Sequence, residues 1–215
     1  MRIVFSVLLL GTLFVTSCKP SLNITSSYVN REITPKASYE SIFVVAMTPD
    51  RKVKVNTENR MEKLLNSRGK KVVKSYELFP QKEGEAARLS VEQNTGDVKK
   101  AGCDAVLTIA VVDVAANESY NPGTAYLPSG AYGTYGVYGS YWGYYSYRAP
   151  LVSTPGFYSA DKTYYMETNF YDLTSDKLLW SIKSTTYSPA SFEIWFQDYS
   201  GTILSQLKKE GLIRK

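Results

Sequence analysis

Two thiols and no imidazole set what chemistry this chain can do. Cys18 and Cys103 are its only cysteines, and among 215 residues there is no histidine. That absence removes Ser-His-Asp and Cys-His catalysis, histidine zinc ligation and the usual general base near neutral pH. Carboxylates remain, with Asp104, Asp113 and Glu167 as candidates, and Ser-Lys chemistry remains too. No motif points to either, and no spacing pairs those carboxylates on one surface. Turn or surface roles are the simpler reading, so we expect no catalytic residue, no metal site and no cofactor. Cys103 stands at the entrance of an apolar run, Ala105 to Val114. A reactive thiol needs cationic neighbours to lower its pKa, and only Lys99 and Lys100 are near in sequence. The expected state of Cys103 is a small buried hydrophobe.

Cys18 has a different setting. Arg2 supplies a positive start, Ile3 to Val15 is almost wholly apolar, and small residues follow. That is the pattern of a signal peptide, spanning 1–17, and it is shorter than the ~20 residues a membrane-crossing helix needs. Val15-Thr16-Ser17-Cys18 resembles the lipobox of bacterial lipoproteins: an aliphatic residue, two small residues, then cysteine. The resemblance implies a diacylglycerol on the Cys18 thiol, cleavage before it and acylation of its amine. Each buried methylene is worth about 0.8 kcal/mol, so two or three chains make a lasting anchor. Residue 19 is Lys, whereas an aspartate there favours inner-membrane retention in enterobacterial lipoproteins, so the resemblance implies the outer membrane. With the leader removed, Cys103 is the one thiol left in the domain, and no intrachain disulfide is available to it.

Composition sets wider bounds. A hydrophobic content of 44% is ample for one core, and the length suits one domain plus a tether. The net charge of +5 is spread along the chain without a basic block, which excludes a nucleic-acid partner of the usual kind.

Residues 120–158 break the pattern with tyrosine and glycine. Tyr132, Tyr135, Tyr138, Tyr141, Tyr144 and Tyr147 keep a strict step of three, and Gly133, Gly136 and Gly139 each follow one of them. A step of three suits an extended three-residue-per-turn coil rather than a helix or a strand. Two readings follow: a low-complexity loop between strands, or an aromatic surface that stacks on sugar, a partner protein or a lipid interface. These six tyrosines are the candidate partner or glycan contacts.

Other elements read in order. Residues 18–39 hold the lipidated cysteine and a polar linker, roughly 25 Å end to end as a flexible coil; the rival reading is an edge strand. Ser41 to Met47 is a buried strand ended by Thr48-Pro49-Asp50. Asn56 is a candidate helix cap, with Met61, Leu64 and Leu65 on one face and Gly69 as the stop. Val72-Val73 mark a short strand, and Leu78 to Leu89 resists assignment. Ser90 with Gln93 fits a capping box for a helix that Gly102 closes. Ala105 to Val114, apolar on both faces, is a central strand. Thr163 to Leu173 and Lys177 to Tyr187 alternate across a polar turn and form a hairpin. Ser191 caps a last helix with Phe192, Trp195, Phe196, Tyr199, Ile203, Leu204 and Leu207 along one stripe, ended by Gly211. The fold class is α+β: a mixed sheet of about five strands with helices packed against it, over residues 40–215.

Three stretches then carry a resemblance. Ser41 to Met47, Ala101-Gly102-Cys103-Asp104-Ala105-Val106-Leu107 and Tyr171-Asp172-Leu173-Thr174-Ser175-Asp176-Lys177-Leu178-Leu179-Trp180 are similar to the periplasmic lipoprotein domain group of the TolB N-terminal domain, CsgG and LpoB. The resemblance implies that Asp172 bonds turn amides and Trp180 packs beneath helices. Ser175-Asp176 stand where the group has a turn glycine. The long amphipathic segment by which the curli protein forms its pore is not evident. With the lipobox, it implies a non-enzymatic, lipid-anchored outer-membrane protein facing the periplasm. Its expected role is a scaffold, assembly or regulatory component that binds an envelope protein, or alternatively a glycan such as peptidoglycan.

Overall fold

The computed structural model describes residues 22–33, 38–48, 50–80, 91–116, 139–148, 162–187 and 191–213. The leader, Cys18, Pro49, Ser90 and most of Leu78 to Leu89 lie outside those residues. In chain order the elements are β1 (Leu22–Val29), β2 (Ser41–Met47), α1 (Arg51–Asn66), β3 (Lys71–Lys74), α2 (Ser75–Leu78), α3 (Val91–Lys100) and β4 (Ala105–Ala116). They continue as α4 (Tyr141–Arg148), β5 (Lys162–Asp172), β6 (Lys177–Tyr187) and α5 (Phe192–Lys209). The strands form one six-stranded mixed sheet in the order β1-β6-β5-β4-β2-β3, an α+β fold as expected.

β1 realises the rival reading of the segment before residue 40, an edge strand in place of a linker. Leu22–Val29 pairs antiparallel with β6 from Leu22↔Thr186 to Val29↔Trp180. Its side chains alternate between partly buried and exposed, because an edge strand has little to bury. Main-chain bonds hold it, together with Leu22, Ile24 and Val29 on the core.

Next to it, β5 and β6 form the expected hairpin, and β4 pairs antiparallel with β5. β2 lies parallel to both β3 and β4. All seven residues of β2 are buried, as a strand covered on both faces requires. The helix after β2 begins at Arg51, earlier than the expected Asn56. Asp50 is the cap, its Oδ1 accepting from the N–H of Lys52 at 2.8 Å and of Val53 at 3.1 Å. The first turns are charged and hide the helical period.

Two cores flank the sheet. On one face α1 contributes Met61 and Leu65, and α5 lays down Trp195, Phe196, Tyr199, Ile203, Leu204 and Leu207, over Ile42, Leu107, Phe170, Trp180 and Ile182. Ser191 caps α5 as expected, its Oγ accepting from the Ile194 N–H at 3.2 Å. On the other face α3 and α4 cover Phe43, Val45, Val106, Tyr171 and Leu178.

Three buried or partly buried carboxylates fix how strands meet. Glu58 on α1 is fully buried and accepts from the Ala46 N–H at 2.9 Å, the Ser75 Oγ at 2.7 Å and the Tyr76 N–H at 3.1 Å. A carboxylate tolerates burial only with such partners. Asp104 accepts from the N–H groups of Glu40 and Ser41, both at 3.1 Å, and so aligns β4 with β2. Asp172 accepts from the N–H groups of Thr174 at 2.6 Å and Ser175 at 2.8 Å, and from the Tyr39 hydroxyl at 2.9 Å. Trp180 is 1% exposed beneath the α5 side. Both expectations for the hairpin hold.

Replacing Asp172 by alanine removes the acceptor shared by the buried Tyr39 hydroxyl and the turn amides. Bonds to a charged group are worth about 1.5–3 kcal/mol each net, so Asp172→Ala should lower stability by about 3 kcal/mol. Urea unfolding should show a lower midpoint with an unchanged slope.

Candidate functional site

The six evenly spaced tyrosines part company. Tyr132, Tyr135 and Tyr138 lie outside the described residues. Tyr141, Tyr144 and Tyr147 fall on α4, a helix rather than an extended coil. Tyr141 and Tyr144 are 1% and 0% exposed, with Trp142 and Arg148 also buried, so these two cannot present a surface to a partner or a glycan. Tyr147 is half-buried.

Why a step of three yields a helix here is geometric. Over two turns, positions 141, 144 and 148 stay on one face, and Gly143 and Ser146 take the exposed one. The sheet beneath supplies the reason to fold. The Tyr141 ring meets Phe43 edge-on at 6.5 Å and Tyr171 at 5.9 Å, and tertiary packing of this kind overrides weak propensity.

Both ends of α4 are tied down. At its start the Tyr141 N–H donates to Asp176 Oδ1 at 3.2 Å, the Gly143 N–H to Ser140 Oγ at 3.0 Å, and the Leu178 N–H to the Gly139 carbonyl at 2.9 Å. At its end Arg148 Nη2 and the Tyr144 hydroxyl both donate to Glu167 Oε2, each at 3.3 Å. Burial, with the Glu167 charge beside it, pushes the Tyr144 phenol well above its ordinary range. It stays a neutral donor.

Beneath α4 runs a polar row. Thr108, Asn169 and Ser181 are paired in register across β4, β5 and β6. Thr108 Oγ1, Asn169 Nδ2 and Ser181 Oγ have no protein partner, nor do Tyr171 OH, Trp142 Nε1 and Arg148 Nε. An unmade buried bond costs about 1–3 kcal/mol. The α4-covered face is therefore specified less firmly than the α5-covered one, where among the described residues Ser184 and Thr186 of β6 share this condition.

An open cleft of about 620 Å³ lies beside the start of α4. It is lined by Tyr28, Asn30, Gly139, Ser140, Ser175, Asp176, Lys177 and Leu178. One aromatic ring, amide, hydroxyl and carboxyl groups and an ammonium surround it. Such a mixture suits a polar partner segment rather than an apolar small molecule. Sequence reasoning missed this grouping because Tyr28 and Asn30 come from the segment taken as linker. Asp176 sits at φ 54° in the turn position usual for glycine. Burial raises its carboxyl above the ordinary aspartate range, with the Tyr141 N–H opposing.

The remaining candidates have structural surroundings. Cys103 is 8% exposed, and burial raises its thiol; the Ser41 hydroxyl and Lys71, rather than Lys99 or Lys100, act against that rise without reversing it. Glu167 is paired as above, and Asp104 caps strand amides. Asp113 stands at a register shift between β4 and β5. Among the described residues no group of His, Cys, Asp and Glu could hold a metal ion. No described helix is long and apolar enough to cross a membrane.

Asp176 yields a pH test. A carboxyl whose folded pKa is raised contributes most at low pH, and stability falls as pH rises through the window above about 3.9, its unfolded value. Asparagine keeps the acceptor and tolerates a positive φ, yet carries no charge. Asp176→Asn should raise the melting temperature at pH 7, and the gain should shrink towards pH 3. A gain independent of pH would refute the burial argument.

No protein-family model matches the chain, and no curated protein does. Among solved structures it is similar to the PelC dodecamer from Paraburkholderia phytofirmans, at 10% identity and a TM-score of 0.42, over 90% of this chain and 99% of that one. It is also similar to lipoprotein GNA1162 from Neisseria meningitidis, at 16% identity and a TM-score of 0.40, over 78% of this chain and 96% of that one. At these TM-scores neither likeness carries an assignment of role.

Proposed function

We propose that this chain is a lipid-anchored, non-enzymatic component of the bacterial envelope. Acyl chains on Cys18 hold the sheet domain at the outer membrane, facing the periplasm, and the domain captures an envelope protein. The observation that carries this reading is Val15-Thr16-Ser17-Cys18 at the end of an apolar leader, followed by only Lys19, Pro20 and Ser21 before a folded strand. A leader that ends so close to a folded strand fits a tether better than a discarded signal with a chance cysteine.

The partner surface is the cleft at the β5–β6 turn. Tyr28 and Asn30 place it at the finishing end of β1. At about 3.3 Å per residue, the eight residues of β1 put it roughly 25 Å from where the chain arrives. A site there faces away from the anchor and towards what the periplasm offers.

Cys18→Ser removes the acylation point. Expressed in cells, the variant should appear in a soluble periplasmic pool, while the unaltered protein fractionates with outer membranes and carries acyl mass on Cys18. A photo-crosslinking residue at Lys177 should trap a defined envelope protein, and one at the exposed Lys63, on α1 over the other edge of the sheet, should not. Membrane retention of Cys18→Ser would refute the anchor, and equal crosslinking at both positions would refute the cleft.

A further inference from the structure

Among the described residues, the end of the domain that the tether reaches has the composition of a lipid contact. Resting on the anchor reading above, we propose that this end lies directly on the bilayer. Tyr187 and Ile194 enter the boundary between headgroups and acyl chains, and Arg51 and Lys52 meet anionic headgroups.

Reach comes first. An extended chain spans at most about 3.6 Å per residue, so the Cα of Cys18 stands within about 14 Å of that of Leu22. A flexible linker of the expected length would leave orientation free; three residues do not.

The exposed apolar residues lie at the same end. Tyr187 and Ile194 are the large hydrophobics left exposed among the described residues, at 54% and 52%. Tyr187 follows Thr186, the register partner of Leu22. Ile194 is in the first turn of α5, which runs back along β1. The far ends of the two elements meet, where Arg31 pairs with Glu210 at 3.5 Å. The 18 residues of α5 cover about 27 Å and the eight of β1 about 26 Å. Ile194 is therefore level with the start of β1.

Charge gives a third, independent sign. α1 starts at this end, after β2, with exposed Arg51 and Lys52 and no acidic residue in its first turn. Asp50 satisfies the first amides of the helix, and exposed basic groups near a tyrosine and an aliphatic side chain are what an interfacial protein presents to an anionic surface.

The test uses the acylated protein in vesicles of phosphatidylethanolamine and phosphatidylglycerol, with Cys103→Ala as background. Nitroxide labels go on cysteines placed at 187 and 194, and at 67 and 100 on the opposite end. Collision with oxygen should exceed collision with an aqueous nickel complex at 187 and 194, with the order reversed at 67 and 100. Arg51→Glu with Lys52→Glu should make 187 and 194 shallower on these vesicles and leave them unchanged on phosphatidylcholine alone. Nickel access at 187 and 194 equal to that at 67 and 100, in protein whose mass shows acylated Cys18, would overturn this contact while leaving the anchor standing. Labels shielded from both reagents would mean that a protein covers this end, and would overturn it too. Protein with no acyl mass on Cys18 would overturn the anchor reading and this contact with it.

Discussion

A run of main-chain pairing along β6 governs the whole arrangement. Because Leu22–Val29 is zipped to Val29↔Trp180 at one end and Leu22↔Thr186 at the other, the chain cannot drift away from the sheet after residue 21. On the proposed anchoring at Cys18, the pairing shortens the tether and fixes which end of the domain the tether meets, with Tyr28 and Asn30 at the opposite end. Position relative to a membrane would then be a property of strand register. It also closes β6 against solvent, which would otherwise be an open edge.

The two faces of the sheet are held by different means. Under α5 the contacts are apolar and aromatic, with Trp195 stacked on Tyr199 at 5.0 Å and the Tyr199 hydroxyl bonded to Thr168. Under α4 the cover is short, and its ends are fastened by Asp176 at one side and Glu167 at the other. Between them lies the unpartnered row of Thr108, Asn169 and Ser181. Local stability follows the density of satisfied contacts, so α4 and the neighbouring cleft form the more adaptable layer, which is why the proposed partner surface is set there.

Much of this was legible from residue patterns, and the failures have physical causes. Period-two alternation marked β5 and β6, the doubly apolar run marked β2 and β4, and the aromatic stripe with Ser191 and Gly211 marked α5. β1 was legible only as the rival to a linker, because LNITSSYV carries few apolar side chains, and main-chain bonds leave no signature in residue type. The start of α1 was hidden by charged residues after a cap at Asp50. Tyr141 and Tyr144 were misread because a periodicity of three was judged in isolation, whereas a sheet face with Phe43 and Tyr171 waiting to be covered selects the helix. The cleft was illegible, since it needs Tyr28, Ser140 and Asp176 together. No spacing in one dimension announces that.

The central claim is that residues 22–29 belong to the folded sheet and, on the proposed anchoring at Cys18, leave a tether of three residues. Amide hydrogen exchange on the acylated protein tests it most directly. Protection across Leu22 to Val29 comparable with that of the β6 amides facing them is the predicted result. Exchange there as fast as in an unstructured peptide, with β6 still protected on its other side by β5, would contradict the claim.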